Sequence, residues 1–195
     1  MRNWHKAWCP APWLWYIGHM ENHATFAVTF GRFNLPHPGH VDLIRRMLDV
    51  GDTAYVCVSE GSANNNRDTR IEVLDQLCYR GGLDSNRIFF FSAKNPYDAV
   101  HFVTEHEHGS LPDPERVNNT TVVLGVDQSK LGERLRDDLG VKFVPNEVRV
   151  GSSTVIRYFL DIGDEQIVRE IYHKDDFIFA DILDLRQEEL SREKS

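Results

Sequence analysis

From about Ala24 to Ser152 two kinds of pattern take turns along the chain, and this alternation restricts the fold more than any other feature. Short β-branched and aromatic runs, TFAVTF (25–30), AYVCVS (54–59), RIFFFSA (87–93), TTVVLGV (120–126) and VKFV (141–144), read as strands. Between them apolar residues recur at helical spacing. Val41, Ile44 and Leu48 do so, with Leu43 and Met47 alongside; Ile71, Leu74 and Cys78 share a face of a helix over 69–79 that stops at the glycines of RGG. Residues 97–107 and 130–139 read as further helices and 109–119 as a surface loop. After Ser152 the chain reads as helical nearly to its charged end. The pattern predicts an α/β fold: a Rossmann-like, doubly wound parallel sheet of about five strands with a helical C-terminal segment.

Ligands of such sheets bind at the carboxyl ends of the strands, where the strand order reverses. The segment FGRFNLPHPGH (30–40), directly after the first strand, should therefore line the crevice. Gly31 permits close backbone approach or a positive φ at the strand exit. Pro36 and Pro38 stiffen the loop and keep the residues before them out of helical geometry. A helix can then begin near Gly39 or His40, and its free N–H groups make an anion site. His37 and His40 come together there, and Arg32 adds a fixed charge. As a metal pair the two histidines have only Asp42 nearby as a third ligand, so no metal held by the protein itself is expected.

The rest of the chain sets limits. With 195 residues, 41% hydrophobic and 27% charged, it is long enough for one domain with a sizeable core. No run of about eighteen apolar residues occurs, so no membrane span is expected. A net charge of −8 disfavours a nucleic-acid partner, which needs clustered Lys and Arg. Three cysteines without a CxxC spacing suggest neither disulfides nor zinc and fit a reducing cytoplasm. All four tryptophans lie in the first fifteen positions, and residues 1–22 read as an extension that need not belong to the fold. The domain is expected over 23–195, with a homo-oligomer left open.

A second stretch, VGSSTVIR (150–157), offers a second cradle. Ser152 or Ser153 is a natural N-cap, and Thr154 and Arg157 lie three apart on the first helical turn. Hydroxyls, free N–H groups and a guanidinium at one helix end suit phosphate; a capped helix with a solvated arginine is the plainer alternative. LGVD (124–127) places Asp127 after the fourth strand, where it either meets a ligand or caps the helix near Ser129. The polar loop after the second strand carries Arg67 and Arg70, either of which would grip an anion; the plainer alternative is a flexible surface loop, with Arg70 on the outer face of the next helix.

GRFNLPHPGH resembles the (H/T)xGH motif of the nucleotidylyltransferase superfamily through Gly31, Phe33, His37, Gly39 and His40. Leu35 and Pro36 depart from it, because the loop proline is shifted by one position. VGSSTVIR resembles the superfamily's ISSTxxR motif, and LGVD its GxD element. The class I aminoacyl-tRNA synthetases share HxGH, but no KMSKS-like lysine motif occurs in this chain. The resemblance spans about residues 26–160 and comes nearest to the nicotinamide mononucleotide (NMN) adenylyltransferases.

The resemblance implies transfer of AMP from ATP to a phosphate-bearing acceptor with release of pyrophosphate, NMN plus ATP giving NAD. Phosphopantetheine, FMN or alcohol-phosphate acceptors, CTP as donor, and a non-catalytic nucleotide-binding module are the alternatives. It assigns His37 and His40 to catalysis, with His40 the better placed for the transition state. Gly31, Arg32, Phe33, Gly39, Ser153, Thr154 and Arg157 are assigned to ATP and its phosphates, and Asn34, Asp127 and Arg70 to the nucleotide or acceptor. Mg²⁺ is expected to arrive with ATP, held by phosphates and water.

Overall fold

The computed structural model describes residues 25–60, 66–105, 114–147 and 152–193. The tryptophan-rich extension, the centre of the loop after the second strand and the first two residues of VGSSTVIR lie outside them.

Five strands form one parallel sheet: β1 (Phe26–Gly31), β2 (Thr53–Val58), β3 (Ile88–Phe91), β4 (Thr120–Gly125) and β5 (Lys142–Asn146). Their order is β3-β2-β1-β4-β5, so the winding reverses between β1 and β4. Phe26 pairs with Thr53 on one side and Thr120 on the other, which makes β1 the central strand. Successive residues point to opposite faces. Ala27 and Val123 pack with Ile44, Met47, Leu74 and Cys78 of α1 (Pro38–Val50) and α2 (Arg67–Arg80). Val28, Val122 and Leu124 pack on the other face with Val100, Val103 and Leu135 of α3 (Pro96–Thr104) and α5 (Ser129–Leu139). The expected doubly wound α/β sheet is therefore present.

One element differs from expectation. Residues read as loop include a short helix, α4 (Pro114–Asn119). Proline suits a first helical turn, Glu115 favours the positive helix end, and Arg116 donates to the Glu105 carbonyl at 2.9 Å while lying over the Phe26 ring. These contacts hold a segment too short to be helical alone.

The helical C-terminal segment is three helices: α6 (Ser153–Asp161), α7 (Glu165–Ile171) and α8 (Asp176–Glu193). Breaks fall at Gly163 (φ 77°) and at His173 and Lys174 (φ 57° and 59°). Ile156, Val168, Tyr172, Ile178, Phe179, Ile182 and Leu185 form a third apolar cluster with Val41 of α1, Val73 and Leu77 of α2, and Leu35 of the opening loop. The C-terminal helices thus buttress the loop that follows β1. No helix among the described residues is long and apolar enough to cross a membrane.

Candidate functional site

The crevice at the β1/β4 switch point has a volume of about 450 Å³. Its walls come from the loop after β1, the start of α1, the ends of β4 and β5, and the N-terminus of α6.

His37 is the N-cap of α1, with Pro38 as the first helical residue. Its Nδ1 accepts the Gly39 N–H at 3.1 Å, and Nδ1 of His40 accepts the His37 N–H at 3.2 Å. Each neutral ring must then carry its proton on Nε2. The rings stack with centroids 3.8 Å apart and planes 28° apart. Burial lowers the His37 pKa to about 4; burial, with the His37 charge as a second cause, holds His40 well below its ordinary range. Near neutral pH the pair is thus two uncharged N–H donors beside a helix N-terminus that already favours an anion.

Gly31 serves close approach. A Cβ there would come within 2.9 Å of Phe33 Cε2. The positive φ falls instead at Phe33 (50°), whose buried ring meets the edge of His40 at 4.9 Å. The two positions that depart from the motif are where the loop is tied down through its backbone. The carbonyl of Leu35 accepts from Ser153 Oγ at 3.1 Å, and that of Pro36 accepts from the Tyr172 hydroxyl at 2.6 Å. The opening loop is fastened from α6 and from the end of α7.

Across the crevice, Ser152 caps α6 by accepting the Val155 N–H at 3.2 Å, and Ser153 and Thr154 line the wall. Asp127 and Arg32 also line it. No side chain caps α5, so Asp127 is not that helix's N-cap.

Three assigned residues are placed elsewhere. Arg157 lies off the crevice wall and is partly exposed but not a free solvated arginine: Nε and Nη2 reach the Glu189 carboxylate of α8 at 2.8 and 2.6 Å. Arg70 is 1% exposed, which excludes the outer helix face. Its guanidinium donates to the carbonyls of Ser59 at 3.1 Å, Asn66 at 3.3 Å and Arg32, tying the loops after β1 and β2, and burial lowers its pKa to about 10. Asn34 lies in the opening loop but off the crevice wall. Arg67 is exposed and pairs with Asp68 and Glu60.

Thr29, Gln128 and Asn146 line the crevice without having been singled out from sequence. Thr29 lies in β1 beside the switch point and Asn146 ends β5, the neighbour of β4, a polar signal that becomes readable once strand order is known. Cys57 and Cys78 are buried free thiols raised to about 12 by burial, with no part in the crevice.

A parallel sheet whose switch-point crevice lies between two capped helix N-termini belongs to the nucleotide-binding class of α/β folds. The chain is a member of the cytidylyltransferase-like family of the nucleotidylyltransferase superfamily, whose sequence profile matches residues 28–157. It is similar to the structure of a putative nicotinate-nucleotide adenylyltransferase from Vibrio parahaemolyticus, at 19% identity and a TM-score of 0.52 over 72% of this chain and 88% of that one. A bifunctional NMN adenylyltransferase/ADP ribose pyrophosphatase from Francisella tularensis is similar at 14% identity and a TM-score of 0.52, over 71% of this chain. The chain spans 42% of that bifunctional protein. At these identities the likeness concerns the fold. No curated protein sequence matches the chain.

Proposed function

We propose that the chain is an adenylyltransferase that joins AMP from ATP to the phosphate of NMN, giving NAD and pyrophosphate. The observation that carries this reading is the stacked, uncharged His37–His40 pair at the N-terminus of α1, facing the N-terminus of α6 across one crevice. A phosphate oxygen of the acceptor attacks the α-phosphorus in line. The bond from that phosphorus to the β-phosphate bridging oxygen breaks, and the electron pair leaves with pyrophosphate. No side chain becomes covalently attached, so positioning and charge stabilisation supply the catalysis.

His40 and His37 donate Nε2–H to phosphate oxygens, and charge building on those oxygens strengthens both bonds. The α6 N-terminus with Ser153 and Thr154 holds the β- and γ-phosphates, and Arg32 offers charge at the rim. Asp127, just after β4, is the one carboxylate on the crevice wall among the described residues and is taken to meet the nucleotide. The oxygen donors there fit Mg²⁺ carried on the triphosphate, which would neutralise the phosphates when bound.

Pyrophosphate release tests the reading, with ATP or CTP as donor against NMN, nicotinate mononucleotide, FMN, phosphopantetheine and alcohol phosphates. The CTP arm is included because the matching family is described as cytidylyltransferase-like. Release with ATP and NMN is expected. Release with another pair reassigns the substrate, and ATP binding with silence across the panel favours a non-catalytic module.

A further inference from the structure

A half-buried charged cluster lies outside the crevice, at the seam of α6 and α8. Glu189, 8% exposed, accepts from Arg157 through both oxygens and from Arg186 Nη1 at 3.1 Å. Arg186, also 8% exposed, donates from Nε and Nη2 to Asp161 at 2.9–3.1 Å. Arg157 is the more open partner, with 30% of its side chain exposed. It stands one turn along α6 from Thr154, which lines the crevice. The neighbouring Glu188 accepts the Asn66 N–H at 2.8 Å, so the last turns of α8 touch both α6 and the start of α2.

This is an unequal arrangement. If Arg157 leaves, the buried Glu189 carboxylate keeps Arg186 and is not stranded, which removes most of the penalty for opening a buried pair. A terminal phosphate carries more charge than a carboxylate and offers a guanidinium the same two-pronged contact.

Resting on the triphosphate reading of the crevice, we infer that Glu189 is a positioning residue for Arg157 and an internal competitor of the bound triphosphate: it holds the guanidinium off the crevice until phosphate takes it. Glu189 thereby sets the affinity for the triphosphate tail, while Arg186 keeps α8 in place through the exchange.

The test is titration calorimetry of the full chain with ATP and with inorganic tripolyphosphate. Glu189→Gln is expected to bind both about three- to tenfold more tightly, because a neutral amide competes less well than a carboxylate. In an Arg157→Ala background the same change is expected to give no gain. Equal or weaker binding by the single variant overturns the inference. Should Glu189→Gln loosen α8, the wild-type chain decides: its Arg157 Nε–H resonance, assigned by its loss in Arg157→Lys, is expected to shift on adding tripolyphosphate. A bound triphosphate that leaves this resonance unmoved also overturns it. Failure of ATP to bind the wild-type chain at all would instead remove the adenylyltransferase reading itself.

Discussion

The buried hydroxyl of Tyr172, in the turn after α7, donates to the carbonyl of Pro36 at 2.6 Å, so a residue 136 positions away fastens the loop that carries both crevice histidines. Tyr172→Phe leaves that carbonyl unpaired, which costs about 1–3 kcal/mol. A lower urea midpoint and a reduced kcat/KM for pyrophosphate release are expected together. Unchanged turnover would show that the loop keeps its geometry without this tie.

The two histidines are separable. His40→Ala removes one Nε2–H donor and also the acceptor of the His37 N–H, so a loss of roughly 10²–10³-fold in kcat is expected together with a modest loss of stability. His37→Ala also removes the α1 cap, costing about 0.5–2 kcal/mol of stability. His37→Asn restores a capping oxygen without the imidazole, so stability should recover and activity should not. Thermal melts beside pyrophosphate assays distinguish the two roles.

Acid should weaken the fold through His37. Its pKa falls from 6.5 to about 4 on folding, so between those values the unfolded chain binds more protons. Its contribution is intact above pH 6.5 and is lost as pH falls toward 4, by up to about 1.4 kcal/mol per unit. Urea midpoints at pH 7, 6 and 5 should fall in wild type and less steeply in His37→Asn. Bound ATP should flatten the wild-type slope, because a phosphate favours the protonated ring.

Gly31→Ala would push a methyl group to 2.9 Å from the Phe33 ring. That ring touches His40, so relief of the clash displaces a crevice histidine. A stability loss of about 1–3 kcal/mol is expected, with a rise in the ATP dissociation constant. Calorimetric titration measures the second effect.

Arg70→Met should be strongly destabilising although the residue lies off the crevice wall. It strands the Ser59 and Arg32 carbonyls, at about 1–3 kcal/mol for each one left buried. Equilibrium urea unfolding checks it, and a midpoint within error of wild type would show that the carbonyls find other donors.

Much was legible along the chain because its physics is local. Strand periodicity, helix spacing, the Ser152 cap and the proline-stiffened histidine loop are settled by residues within a few positions of one another. These determined the parallel α/β sheet and the presence of two capped helix starts. The α4 helix was not legible, since Arg116 reaching the Glu105 carbonyl, and not propensity, keeps it folded.

Tertiary structure decided where the long side chains go. A lysine, arginine or tyrosine spans many ångströms, and its partner is whichever element folding brings within reach. Arg157, read as a phosphate ligand, found Glu189 on the last helix; Arg70 turned inward to backbone carbonyls. Leu35 and Pro36, a departure from the motif in sequence, proved to be the points where Ser153 and Tyr172 hold the loop. The sequence by itself determined the sheet and the helix ends that frame the crevice. Only the packing of α6, α7 and α8 decided which side chains line it and which are held away.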